Sequence, residues 1–316
     1  MSKSLKNSLL LFLVAIVWGF AFVAQSDGMN YVKPLTFLSV RSFLGSIALI
    51  PVIIFRSKKP RDTQVDMSWK NKNLIIGGIL CCIALGAATT FQQYGILYYK
   101  NHSINEGKAG FLTVLYIIIV PFLSILLGKK LNLPVIIGCV LSIVGLYFLC
   151  VVGNETPFNA GDILAIAGAV AYAFHIMIID YFAPKVDGVK MSFMQFLGVG
   201  LLLCLPAIFI EKPQIQLLFN AWLPLLYAGF ISCGVGYTLQ IIAQNGVNPT
   251  IASMIMGFES VFAVIGIAIF NPSHHMTASE IIGCVIVFIS IIIAQIPVDA
   301  FKNAFNKIFK RNKDKN

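Results

Sequence analysis

Charge is what this sequence has least of. Only 11% of its 316 residues are Asp, Glu, Lys or Arg, against 58% hydrophobic ones, and the mean hydropathy is +0.85. Soluble domains carry roughly 25% charged residues, so this chain cannot cover a water-facing surface, and the soluble reading fails on composition. Acidic residues are scarcest, 13 against 23 basic, for a formal charge of +10. The basic excess does not point to nucleic acid, because it forms no stripe interleaved with aromatics. It sits mostly in the N-terminus, two short loops and the C-terminal tail, where it reads as topology signal and lipid-headgroup contact.

Metal, cofactor and catalytic chemistry lack their signatures too. The seven cysteines (Cys81, Cys82, Cys139, Cys150, Cys204, Cys233 and Cys284) fall inside apolar runs, without the spacing of a zinc or haem site. They read as small hydrophobes. No Gly-rich phosphate loop or zinc-protease helix is present, and the longest internal loop, Arg56 to Lys72, is too short for a nucleotide-binding or catalytic domain. His274 and His275 are adjacent but have no further ligands nearby, which makes a poor metal site. No cofactor and no metal are expected.

What the chain does have is a series of apolar windows separated by polar breaks. A run of about 20 apolar residues spans the roughly 30 Å hydrocarbon core of a bilayer. Such windows fall at 8–26, 34–55, 73–97, 105–127 and 133–151, then at 160–181, 190–210, 220–243, 249–270 and 278–296. The first ends in Gln25-Ser26-Asp27, read as a turn with no cleavage site, so it is expected to be a retained helix. The expectation is an all-α integral membrane protein of ten transmembrane helices.

Placing both termini inside leaves Lys33, Lys100 and Lys212 in outer loops and Arg41 and Lys108 within spans, so that eighteen of the 23 Lys and Arg are cytoplasmic. By the positive-inside rule this puts both ends in the cytoplasm. The tail, 297–316, places Phe301, Ala304, Phe305, Ile308 and Phe309 on one stripe with lysines opposite. It is either a basic amphipathic helix lying in the interface or a frayed basic tail.

The spans divide into two sets of five, 7–151 and 160–296. Val17 aligns with Val170, and Phe43-Leu44-Gly45 with Phe196-Leu197-Gly198, at one constant offset. An odd number of spans per half forces the second half to enter from the opposite side, so the repeats are inverted. That is the architecture of secondary transporters, which expose a central site alternately.

Several motifs carry a family resemblance. Trp18-Gly19-Phe20 lies in the first span and Arg41 in the second. Phe91-Gln92-Gln93-Tyr94-Gly95-Ile96 ends the third. The fourth reads Gly107-Lys108-Ala109-Gly110-Phe111-Leu112-Thr113-Val114-Leu115-Tyr116, then Val120-Pro121. The second half offers Gln240, Gln244, Pro249-Thr250 and Phe258-Glu259-Ser260-Val261-Phe262. Along nearly its whole length the chain resembles EamA-domain proteins of the drug/metabolite transporter superfamily.

Three departures stand out. Ser260 replaces the family's usual proline, so no kink is expected there. Gly128-Lys129-Lys130-Leu131 and Asn271-Pro272 replace Gly-Glu-Arg and Gly-Glu. The resemblance implies a ten-helix inverted-repeat carrier in the plasma (inner) membrane, a monomer or homodimer, with export as the preferred direction.

Charged groups inside spans are costly and are retained where they are paired or face a cavity. Glu259, mid-span in the ninth helix, either binds a cationic substrate group or a coupling proton, or is a structural carboxylate bonded to a neighbouring helix. Lys108 either snorkels to the interface or faces the cavity. If the fourth and ninth helices are symmetry mates, as the resemblance implies, Lys108 and Glu259 are a conceivable pair. Arg41 needs a carboxylate, carbonyls or water, and is either a substrate-carboxylate ligand or an anchor.

Trp18, Tyr94, Tyr116 and Phe258 are candidates to line an apolar pocket. Gln93 and Gln240 are better pocket candidates than Gln244, and Gln92 adds another amide. His175, the one histidine in a span, is either a relay or bonded to a carbonyl. Gly234-Val235-Gly236 is either a hinge or a packing site. The expected partners are a small metabolite (amino-acid-like, amine, nucleobase or drug-like), protons or a counter-substrate, and lipid. The competing readings are a membrane subunit of a larger assembly, a channel and an integral-membrane enzyme.

Overall fold

A chain this apolar has one economical way to satisfy its backbone in hydrocarbon, which is to wind every crossing segment into a helix. The computed structural model describes residues 3–57, 66–102, 107–153, 156–270, 276–296 and 301. The amphipathic tail, the paired histidines at 274 and 275, and Asn271-Pro272 lie outside the described residues.

The helices in order are α1 (Lys3–Gly28), α2 (Pro34–Ser57), α3 (Lys72–Asn101), α4 (Gly107–Val114), α5 (Tyr116–Leu126), α6 (Leu133–Cys150) and α7 (Ala160–Phe182). Then come α8 (Gly188–Pro206), α9 (Ile215–Asn220), α10 (Trp222–Leu226), α11 (Thr238–Gln244), α12 (Pro249–Met256), α13 (Glu259–Phe270) and α14 (Ala278–Ala294). Nine spans among the described residues are long and apolar enough to cross a membrane. In addition α14 is apolar but 17 residues long, about 26 Å at 1.5 Å per residue. Exposed Ile47, Ile54, Ile79, Ile83, Phe122 and Leu126 clothe the outside, a surface suited to acyl chains.

Helix α1 continues through the expected turn at Gln25-Ser26-Asp27 and stops only at Gly28. The polar run reads like an exit from the membrane, but the protein interior satisfies it. Gln25 is buried, and Lys100 Nζ donates to the Ser26 carbonyl at 2.8 Å.

Corresponding helices of the two halves run antiparallel, which shows the inversion directly. At one end of the α2/α8 pair, the Thr36 hydroxyl donates to Glu211 Oε2 at 2.7 Å. Further along, the Ser39 hydroxyl donates to the Gly200 carbonyl at 3.0 Å, and at the far end Arg56 approaches Asp187 at 3.8 Å. In the α6/α14 pair a Cβ on Gly138 would meet Ser290 and Ala294, and one on Gly145 would meet Gly283 and Val287. The Ser142 and Ser290 hydroxyls bond at 2.6 Å between them.

The contacts also repeat residue by residue. Gly45 packs on Cys233, where a Cβ would lie 2.5 Å from the cysteine Cβ; Gly198, its repeat mate, packs on Cys82, where a Cβ would lie 2.7 Å from Sγ. Small residues that let helices approach this closely are the usual solution where lipid supplies no hydrophobic drive.

The start of α1 and the end of α14 lie on the same face of the bundle. Links across that face join Asn7 to the Asn245 carbonyl, Asn71 to the Lys185 carbonyl and Lys129 to Asp180. Arg56, Lys70, Lys72 and Lys130 also lie there, and it is called the basic face below. Lys33, Lys100 and Lys212 lie towards the opposite face, the one that the charge rule expects outside and that is called the outer face below.

The fourth and ninth spans, mates in the two halves, are both interrupted. Leu115 separates α4 from α5, and Gly257-Phe258 separates α12 from α13. The break in the ninth span therefore forms without proline and just before Ser260, against the expectation of an unkinked helix. Gly257 permits it, because a Cβ there would lie 2.4 Å from Ile117 Cδ1, so the two breaks nest against each other. The eighth span is π-wound over Tyr227–Tyr237. Within it a Cβ on Gly236 would lie 3.0 Å from Trp18 Nε1 and one on Gly234 would lie 3.1 Å from Ala48, so both glycines serve close packing.

Candidate functional site

A narrow chamber, part of it open to solvent, lies between the halves and extends from mid-bundle towards the face opposite the basic one. Trp18, Ala21, Phe22 and Gln25 of α1 form one wall; positions i, i+3, i+4 and i+7 share one helical face. Arg41 of α2, Gln92 of α3, Tyr172 of α7, Ser232 and Tyr237 of the eighth span, and Glu259 of α13 complete it.

The electrostatics are unusual for such a small volume. Arg41 is 3% exposed and Glu259 5%, and among the described residues neither belongs to an ion pair. Arg41 Nη1 donates to Gln25 Oε1 at 3.1 Å, its Nε has no hydrogen-bond partner among the described residues, and the Phe37 ring lies 5.9 Å from its carbon centre.

Glu259 sits at the first position of α13, where the free backbone N–H groups and the helix dipole favour a carboxylate. Its Oε1 accepts from the Tyr116 hydroxyl at 3.1 Å, and Tyr116 is itself the first residue of α5. Each interrupted helix thus presents its new N-terminus near the middle of the bundle. Broken helices of this kind mark the binding centre in inverted-repeat transporters.

Of the residues singled out by sequence, Trp18, Arg41, Gln92 and Glu259 line the chamber. Trp18 stacks at a tilt on Tyr237, with ring centres 4.5 Å apart, and its Nε1 has no hydrogen-bond partner among the described residues. Tyr116 reaches the site through Glu259.

The others lie elsewhere. Tyr94 donates to Glu211 Oε1 at 3.4 Å, and Glu211 also accepts from the Leu35 and Thr36 amides, capping α2 from across the repeat boundary. Gln93 donates to the Gln25 carbonyl at 3.3 Å behind the chamber wall. Phe258 packs against Phe12 and Phe288. Gln240 and His175 sit nearer the basic face.

Lys108 neither snorkels nor pairs with Glu259. It is buried, with its ammonium 3.0 Å from Asp162 Oδ2 and bonded to Thr156 Oγ1 at 3.0 Å. Asp162 also receives the Tyr99 hydroxyl and closes the capping box at the start of α7. Asp180, at the other end of α7, pairs with Lys129. The fourth span is therefore tied to the sixth at both ends.

Gln25, Tyr172, Ser232 and Tyr237 were not anticipated. The i, i+3, i+4, i+7 series that starts at Trp18 is the one sequence signal that leads to Gln25.

Residues 5–151 and 159–295 match the EamA-like transporter family. An uncharacterized transporter of Archaeoglobus fulgidus is 26% identical over 298 residues, covering 94% of this chain and 88% of its own length. The uncharacterized transporter YoaV of Bacillus subtilis is 24% identical, covering 79% and 84%, and another from Buchnera aphidicola is 25% identical, covering 93% and 96%. A solved crystal structure with 16% identity superposes with a TM-score of 0.73 over 92% of this chain and 96% of its own, a likeness of fold. With the family matched across both halves, the multi-pass bundle described above is a membrane transporter and belongs to the EamA-like transporter family.

Proposed function

We propose that the chain is a secondary carrier for a small zwitterionic metabolite, held with its carboxylate on Arg41 and its ammonium group on Glu259. One observation supports this above the others: a buried guanidinium and a buried carboxylate line the same chamber without an ionic partner. An unpaired buried charge is expensive, and a solute carrying both complementary charges relieves both at once. Arg41 offers a side-on edge through its unbonded Nε, the geometry that suits a carboxylate. Trp18, Phe22, Tyr172 and Tyr237 supply apolar and aromatic walls for the rest of the solute.

Transport by alternating access follows from the inverted halves. The basic face is cytoplasmic by the charge rule, and the plasma membrane is the location that the family resemblance favours. Export is the direction favoured by the family resemblance.

The test is flux into liposomes containing the purified full-length chain, using matched radiolabelled sets of amino acids, their decarboxylated amines and their deaminated acids. Zwitterions should be carried and should accelerate their own exchange from the far side, as a pore would not allow. Arg41→Lys and Glu259→Gln should each abolish that preference. Transport of amines and acids as efficient as that of zwitterions would sink the reading. If Glu259→Gln removed only the dependence on a proton gradient, the carboxylate would be a proton site instead.

A further inference from the structure

Nearer the basic face, the sixth, seventh and eighth spans bury a second polar cluster that the chamber does not include. His175 Nε2 meets Gln195 Oε1 at 3.0 Å, and the Thr238 hydroxyl donates to Ser192 Oγ at 2.7 Å. Gln240 Nε2 reaches Gln244 Oε1 at 3.5 Å, and Gln244 Nε2 donates to the Ile176 carbonyl at 2.6 Å. The His175 ring lies edge-on to Tyr237, 6.1 Å between centres, so the cluster begins at the floor of the chamber.

His175 and Gln195 are 0% exposed and Gln240 is 1%. Even so, His175 Nδ1, Gln195 Nε2 and Gln240 Oε1 have no hydrogen-bond partner among the described residues. Native interiors pair nearly all such groups. A site needed only for packing is better filled by apolar side chains.

The cluster also repeats part of the chamber's surroundings at the other end of the molecule. Beside the chamber, Gln93 of the third span donates to the carbonyl of Gln25 in the first. In the cluster, Gln244 of the eighth span donates to the carbonyl of Ile176 in the sixth. The mirrored Gly45–Cys233 and Gly198–Cys82 contacts relate the second span to the seventh and the third to the eighth. The wall built by the first three spans towards the outer face thus corresponds to one built by the sixth, seventh and eighth towards the basic face. The charge is not carried over: at the offset that aligns Phe43-Leu44-Gly45 with Phe196-Leu197-Gly198, Arg41 corresponds to Met194.

We infer that His175, Gln195 and Gln240 form a second, uncharged station of the transport path, which opens to the basic face when the outer chamber closes and receives the solute's polar groups through neutral hydrogen bonds. This rests on alternating access in the proposed function but not on the solute being a zwitterion.

Single cysteines at Ala21 and at Gln195, in the full-length chain in oriented proteoliposomes, test it with a membrane-impermeant maleimide applied to one face at a time. The wild type gives the background from native thiols. Gln195→Cys should label at least ten-fold above that background from the basic face only, and Ala21→Cys from the outer face only. Labelling of Gln195→Cys from neither face, with Ala21→Cys reactive, overturns the station and leaves the outer chamber standing. Labelling of Gln195→Cys from the outer face also overturns it, by making the cluster part of the chamber. If Ala21→Cys stays silent while Gln195→Cys labels from the basic face, the outer chamber falls instead. Should Gln195→Cys not fold, Gln240→Cys is read by the same criteria.

Discussion

Arg41 Nη1 donates to Gln25 Oε1 at 3.1 Å, so the one guanidinium lining the chamber is steadied by a neutral amide. Gln25 is fixed in turn: its Nε2 donates to the Ala21 carbonyl at 3.2 Å and its own carbonyl accepts from Gln93. An amide orients the arginine without neutralising it, which leaves the charge available to a solute.

Gln25→Glu keeps nearly the same shape and replaces that amide with a competing carboxylate. A charged hydrogen bond contributes roughly 1.5–3 kcal/mol, so the KM for zwitterions should rise about 10- to 100-fold. Amines lacking a carboxylate should be transported at least as well as by wild type. Equal losses for both classes in liposome flux would remove Arg41 from carboxylate recognition.

Tyr116→Phe deletes the hydroxyl that donates to Glu259. A buried acceptor left unpaired costs about 1–3 kcal/mol, so the free protein should melt at a lower temperature. A transported zwitterion should restore more stability to this variant than to wild type, because its ammonium group supplies the missing partner. Equal ligand-induced shifts in Tm would mean that the ammonium group binds elsewhere.

Breaking the buried Lys108–Asp162 pair with Lys108→Met strands a carboxylate at 1% exposure. Loss of one partner from such a pair costs roughly 3–5 kcal/mol. Adding Asp162→Leu should recover part of this, not all, because Asp162 also caps α7 and receives Tyr99. A double-mutant cycle on thermal stability in detergent measures the coupling. Additive effects would show that the pair is not an energetic unit.

At the α6/α14 seam, a Cβ on Gly283 would lie 2.5 Å from the Leu149 amide nitrogen and 2.6 Å from the Gly145 carbonyl. Backbone cannot step aside as a side chain can, so Gly283→Ala should cost at least the 1–3 kcal/mol typical of overpacking. Gly86→Ala is the control: its nearest neighbour would be 3.5 Å away, and alanine favours the helix by about 1 kcal/mol. A melt in which Gly283→Ala matched wild type would contradict the close approach of these helices.

The spans were legible because apolar windows and polar breaks report directly on a bilayer, and Arg41 and Glu259 stood out because intramembrane charge is rare. Gln25 was hidden: its neighbours Ser26 and Asp27 look like the end of a helix, and only Lys100 from α3 shows that the segment is satisfied inside the bundle. Tyr172, Ser232 and Tyr237 are indistinguishable in sequence from ordinary span residues. Their role depends on which helices meet, and that is set by pairs such as Gly45 with Cys233. The partner of Lys108 was misjudged for a related reason. In sequence nothing links Asp162 to Lys108, and only the fold reveals that one carboxylate serves the α7 cap, the lysine and Tyr99 together.

Lys108 comes from the first repeat and Asp162 from the second, with Lys129 and Asp180 repeating that exchange at the other end of the same two helices. Sliding or parting the fourth span from the sixth would leave a dehydrated carboxylate without its counter-ion. Two ion pairs therefore cross the seam between the repeats, and any rearrangement that parts the fourth span from the sixth has to break both.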